Sequence, residues 1–237
     1  RRIHKAYPKA KKTQVSDIPQ QTGTKCFAAG CGFYKIVSLF MIGAFLGDIT
    51  ETIFCRVRAG VWMSRSSVVW GPFSIVWGLA IALVSWMLYQ YRNRSDRFLF
   101  LVGTLLGGAY EYLCSVFTEL VFGKVFWDYS KIPFNLGGRI NLLYCFFWGI
   151  AAVVWFKALL PKTEKLIEML PVKAGKVIVW LLVVFMSCNI AVSCMALIRY
   201  DERSKGVEAV SEWQKWSDTH YDDVRLQKIY PNAIVPR

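Results

Sequence analysis

Glu111 stands in FLFLVGTLLGGAYEYLCSVF, a stretch in which no other residue is charged. A carboxylate is costly in apolar surroundings, whether protein core or lipid, so this one has a task. A second acid repeats its setting. LGDITE at 46–51 and LGGAYE at 106–111 both read L-G-x-x-x-E, which pairs Glu51 with Glu111. On helical spacing Asp48 lies beside Glu51, and Ser115 and Glu119 extend the face of Glu111. A third group sits in the loop WDYSKIPFNLGGRIN, which supplies Trp127, Asp128, Tyr129, Asn135 and Arg139.

Three chemistries fit these residues. Glu51 and Glu111 could couple a proton or cation to transport. Glu111 or Asp128 could act as a general base on a lipid head group, with Arg139 and Asn135 holding its phosphate. Alternatively the acids only pair with arginine, Arg139 with Glu111 or Glu119, and hold the helices together. The binding surface is expected from Glu51, Glu111, Glu119, Asp128, Asn135, Arg139, Trp127 and Tyr129. The 7 Cys follow no metal-ligand spacing, and His220 beside Asp222 and Asp223 is a single histidine in an acidic run, so no metal is expected. No Ser/His/Asp set and no dinucleotide or nucleotide motif occurs, so no cofactor is expected either.

The elements that position these residues are membrane spans. The chain has 237 residues, 55% of them hydrophobic, with 10 Trp and 16 Phe. Five runs are long enough to cross about 30 Å of hydrocarbon: Ile36–Cys55, Val69–Tyr89, Phe98–Leu120, Asn141–Leu160 and Val177–Ile198. The pattern predicts an all-α integral membrane protein with five transmembrane helices. Each L-G-x-x-x-E run is followed by a polar loop and a span carrying W-G, VWG at 76–78 and FWG at 147–149. Helices one and two therefore read as a hairpin repeated in parallel by helices three and four, with a fifth helix and a tail added. Gly47 and Gly107, one turn before each glutamate, would let the helices approach closely.

The net charge of +13 is uneven. Sixteen of the 29 Lys and Arg fall in the N-tail (including Lys25 and Lys35), the 92–97 loop and the 157–176 segment. The positive-inside rule then predicts a cytoplasmic N-terminus and an extracytoplasmic C-terminus in the cell membrane. The organisation expected is a basic cytoplasmic N-tail, 1–35; a four-helix core, 36–160, with outer loops 56–68 and 121–140; a cytoplasmic linker and fifth helix, 161–198; and an extracytoplasmic tail, 199–237. The opening RRIHKAYPKAKKTQ has no apolar region of a cleavable leader, and its bases suit anionic lipid rather than nucleic acid. The linker could hold one short helix between Pro161 and Pro171. In the tail, Val207, Val210, Trp213 and Trp216 stand at helical spacing. Helices two and four are expected to begin at the outer face, where their free N–H groups near Gly71–Pro72 and Gly137–Gly138–Arg139 suit an anion, with Arg56, Arg58 or Arg65 as further donors.

At WDYSKIPFNLGGRINLLYCFFWG, 127–149, the sequence resembles the signature W-D-Y-S…F-N-L-x-G-R…W-G of the bacterial CmpB-type ABC transporter permease family, which includes the animal transmembrane protein 229. GDITETIFC and WGPFSIVWG fit the same family, although its usual second Pro is missing near Ser74 and Trp77 stands for its Tyr. The resemblance covers about residues 36–160 and implies a transporter permease. The expected function is thus a transporter or transport-associated subunit with an outward polar site for an anionic or lipid-linked substrate. The alternatives are an intramembrane enzyme acting on a lipid head group and a structural or partner-binding membrane protein. The partners expected are the bilayer, an anionic lipid or small molecule, and a membrane partner or second copy of the chain.

Overall fold

The computed structural model describes residues 26–123 and 125–231. The basic N-tail up to Lys25, Lys124 and the last six residues lie outside them. The described residues form eight α-helices in order: α1 (Phe33–Ala59), α2 (Ile75–Leu88), α3 (Asp96–Phe122), α4 (Leu142–Val154), α5 (Leu160–Glu168), α6 (Val172–Ser204), α7 (Glu212–His220) and α8 (Asp223–Ile229). Between α3 and α4, β1 (Asn135–Leu136) and β2 (Ile140–Asn141) pair antiparallel, Leu136 opposite Ile140.

Among the described residues four helical stretches are long and apolar enough to cross a membrane: α1, α3, the joined α4–α5 and α6. Their outer faces are apolar. On α3, Leu105 is 74% exposed and Leu101 and Leu113 are also open, a surface that lipid covers and water would not. The second of the five expected spans is shorter than Val69–Tyr89. Gly71 adopts φ +82, Pro72 follows it, and the helix starts only at Ile75, behind the Ser74 cap. A 3-10 turn, Tyr89–Tyr91, extends it. The segment before it is a tight loop, with the Ser66 hydroxyl against the carbonyls of Val68 and Gly71.

Pro161 does not end the fourth span. The chain passes through a π turn, Trp155–Leu159, and continues as α5 to Glu168. Pro161 lacks the N–H and its ring crowds the carbonyl four residues back, at Lys157, and the widened turn there accommodates both. The helix expected between Pro161 and Pro171 is therefore the end of the fourth span. Its acids reach back to α1. Lys35, counted above with the basic tail, is fully buried and bonded to Glu168 at 2.7 Å, with Glu164 at 3.6 Å. Tyr89 donates to Glu164 at 2.9 Å.

The helices pack as two hairpins, α1 with α2 and α3 with α4. In both, glycines set the distance. A Cβ on Gly47 would overlap Trp77, and a Cβ on Gly107 would overlap Trp148. Gly43 faces Ile81, and Gly103 faces Ala152. In return Gly78 receives the ring and carbonyl of Phe40, and Gly149 those of Phe100.

Helix α6 packs on α1 and grips the loop before α2. Asn189 accepts from the Trp70 N–H at 3.0 Å and donates to its carbonyl at 2.8 Å, while Ser193 accepts from the Val69 N–H at 2.9 Å. The tail closes over this point. Tyr221 accepts from the Trp70 indole at 2.9 Å, and Arg199, 2% exposed, holds Asp218 through two bonds of 2.8 and 2.9 Å. Those bonds hold the Asp218 carboxyl below the usual carboxylate range. Val207 and Val210 precede α7, which starts at Glu212 behind a Ser211–Gln214 capping box. His220 stacks on Trp216 at 4.9 Å.

The glycine contacts predict a sharp steric test. Gly47→Ala and Gly107→Ala should each destabilise the protein by about 1–3 kcal/mol through overpacking. Gly32→Ala, where a Cβ meets nothing within 4 Å, should cost less, at most about 1 kcal/mol from the weaker N-cap of α1. Thermal unfolding of the three purified variants in one detergent checks this; equal midpoints would remove the close packing.

Candidate functional site

The two glutamates lie at the loop ends of their hairpins. Glu111, 7% exposed, has both oxygens occupied. Oε1 accepts from the Tyr129 hydroxyl at 2.6 Å and Oε2 from the Trp148 indole at 2.8 Å. Glu51 is paired with Arg65 at 2.7 Å. Trp77 and Trp148 meet between the hairpins with ring centroids 4.9 Å apart. Tyr110 crosses the same gap, donating to the Val76 carbonyl at 2.7 Å.

Tyr129 ties the seam together. It stacks on Tyr144 at 4.7 Å, and the Tyr144 hydroxyl accepts from Arg58 at 3.0 Å. Burial, then the charge and bond of Glu111, then Tyr144 and Glu51, push the Tyr129 hydroxyl far above the ordinary phenol range. It stays protonated and acts as a donor. Both glutamates exert their field on this one phenol, so Glu51, Glu111 and Tyr129 belong to a single polar seam.

Arg139 and Glu119 form a separate ion pair, with Ser115 accepting from Arg139 at 3.2 Å and the Tyr112 ring 6.0 Å from the guanidinium. Of the two partners expected for Arg139, Glu119 is the one it meets. Asp128, Asn135 and Trp127 serve the loop itself. Asp128 accepts from the Ser130 N–H and hydroxyl at 2.8 and 2.9 Å, and these bonds hold its carboxyl below the usual range, which makes it a poor general base. Asn135 donates to the Ile132 carbonyl at 2.7 Å and accepts from the Gly138 N–H at 3.0 Å, so it has little left for a phosphate. Trp127 donates to the Arg139 carbonyl at 2.9 Å.

The helix starts expected to hold an anion are already capped. Gly137 and Gly138, at φ +59 and +70, turn the β1–β2 hairpin and do not open a helix. Helix α4 begins at Leu142, and Asn141 accepts from the Leu143 N–H at 2.9 Å. At α2, Ser67 accepts from the Ile75 N–H at 3.0 Å. The arginines are committed too: Arg56 to the Gly60 carbonyl, Arg58 to Tyr144, Arg65 to Glu51. Among the described residues no group of three or more His, Cys, Asp or Glu could hold a metal ion. Sequence reasoning missed Arg65 as the partner of Glu51 and the Trp77–Trp148 contact; the W-G following each glutamate was the available signal.

Burial also ranks the ion pairs. Arg65 and Glu51 keep 15% and 28% side-chain exposure, against 26% and 34% for Arg139 and Glu119. Arg65→Ala should therefore cost more stability than Arg139→Ala, roughly 1.5–3 kcal/mol for the lost bond to a charged partner. Chemical denaturation of both variants in detergent checks the order, and a larger loss for Arg139→Ala would reverse it.

Residues 38–194 match the family model ABC_trans_CmpB, described as "Putative ABC-transporter type IV". The match reaches well into α6, beyond the stretch over which the sequence resemblance was read. No curated protein and no solved structure matches the chain. With its apolar helices and a family match over more than half its length, the chain is a multi-pass membrane protein and belongs to the ABC_trans_CmpB family of ABC-transporter type.

Proposed function

We propose that this protein is a transport-related membrane subunit whose working part is the polar seam between two equivalent hairpins. The observation that carries the reading is the matched packing around Trp77 and Trp148. Gly47, Phe40 and Gly43 stand to Trp77, Gly78 and Ile81 as Gly107, Phe100 and Gly103 stand to Trp148, Gly149 and Ala152. Two tandem repeats related by an axis along the membrane normal account for that correspondence. The axis then runs by the Trp77–Trp148 contact, where a change in one hairpin is felt by the other.

In this reading α2 crosses as the fifth span, the N-terminus is cytoplasmic, and the seam opens to the outside of the cell membrane. The charge asymmetry of the loops supports that orientation, though Lys35 no longer contributes to it. Glu51, Glu111 and Tyr129 form the coupling group. Arg139 and Glu119, with the loop built by Trp127, Asp128 and Asn135, close the seam on one side. The substrate is a small solute or a lipid-linked group. Its polar part meets carboxylates and aromatic rings, since the arginines first assigned to an anion each already bond a protein partner, with only Arg65 Nε buried and unpartnered.

Two measurements test this. In a background free of native Cys, Ser130→Cys in intact cells should react with an impermeant thiol reagent and Ser95→Cys should not; the opposite pattern inverts the topology. Cells producing the protein should differ from cells producing Glu111→Gln, at equal membrane level, in at least one solute or lipid. Identical profiles would sink the transport role.

A further inference from the structure

We infer that Asp48 is a proton-binding site of this membrane domain, distinct from the two repeated glutamates. Asp48 follows Gly47 on α1, at the contact with α2, and is 5% exposed. Its Oδ1 is buried with no hydrogen-bond partner. The only other buried side-chain atoms in that condition among the described residues are Arg65 Nε and Ser217 Oγ. Two of the three therefore belong to one acid–base group, because Arg65 and Glu51 are the charges that act on Asp48.

The surroundings supply little else. Helix α2 carries no charge from Ile75 to Leu88, and α6 carries none from Val177 to Ile198. The acids of α5 are engaged with Lys35 at the opposite end of α1. Glu111 on α3 is bonded to Tyr129 and Trp148. A terminal nitrogen of Arg65 is given to Glu51. An ionised Asp48 thus sits beside the carboxylate of Glu51 without a donor of its own, a costly state. A proton from water, bonding to one carboxylate oxygen, removes the charge. On release it returns to water, and the anion is left to the nearby charge of Arg65, whose buried Nε has no partner of its own. Arg65 then serves two acids in turn, Glu51 alone and Glu51 with Asp48.

Packing does not require the acid. The matching place in the second hairpin is Gly108, where an added Cβ would lie 2.7 Å from Cys145 Sγ. One hairpin closes with a glycine where the other holds a buried carboxyl. That difference is what a proton-linked function would add to a symmetric frame. The inference rests on the transport reading only for its purpose, and its test needs no transport.

The test is infrared difference spectroscopy on the full chain in lipid nanodiscs, stepped between acidic and neutral buffer, with carbon-13-labelled aspartate to separate Asp from Glu. The wild type should show a protonated aspartic carbonyl band that shifts with the label, and Asp48→Asn should lose it. If Asp48→Asn fails to fold, Asp48→Gly, the residue of the second hairpin, should fold and lose the band. A wild type without an aspartic band, or the same band in either variant, overturns the proposal. A band that depends on Asp48 in a protein whose cells show no solute or lipid change would keep the proton site and remove the transport reading.

Discussion

Two indole side chains occupy the space that two glycines leave empty. Trp77 lies against Gly47 and Trp148 against Gly107, and nothing with a Cβ fits at either glycine without displacing a ring. In lipid there is no hydrophobic drive between helices, so close contact and internal hydrogen bonds must hold them. The glycine–tryptophan fit supplies the contact. It also aims the Trp148 N–H at Glu111, and the same ring touches Trp77. The acid, the aromatic pair and the crossing of the hairpins all follow from these two positions.

With the backbones that close, each polar group in the seam has few neighbours and must be matched locally. Glu111 receives two donors, one from the span that packs on it and one from the loop that folds back over it. Glu51 receives a guanidinium instead. The same need for local partners explains the far end of α1, where Lys35 is buried and met by two acids one turn apart, Glu164 and Glu168. Polar ends around an apolar, lipid-facing waist are what a membrane domain of this length requires.

Much of this was legible in the sequence because the signals were local. Four of the five apolar runs marked helices long enough to cross a membrane, and L-G-x-x-x-E with its W-G marked places where α1 meets α2 and α3 meets α4. What was not legible depended on contacts between distant parts of the chain. Val69–Tyr89 reads as one apolar span, yet residues 66–74 form a loop whose apolar side chains are covered by α6 and the tail. Pro161 reads as a stop, but a π turn carries the helix past it. Lys35 reads as one more basic tail residue until Glu168 is placed opposite it. Arg139, Asn135 and Asp128 have the composition of an anion site, and only the folded loop reveals that most of their polar atoms are bonded within the protein. Asn189 and Ser193 did leave a trace, polar residues four apart in a run that is apolar but for them and Ser187, although their target on residues 69 and 70 could not be read from spacing.

That last grip has a consequence for how the protein is made. The N–H groups of Val69 and Trp70 find their partners on Asn189 and Ser193, more than a hundred residues later in the chain. A ribosome delivers the loop long before it delivers α6. Until the last span enters the membrane, the first hairpin therefore holds backbone groups that no earlier residue bonds, and they must keep water until then. The helices before α6 are in this sense an unfinished product, and α6 is the step that dries and locks the loop. A chain halted before Asn189 would carry every residue of the glutamate seam and still lack the clasp that closes the first hairpin's loop.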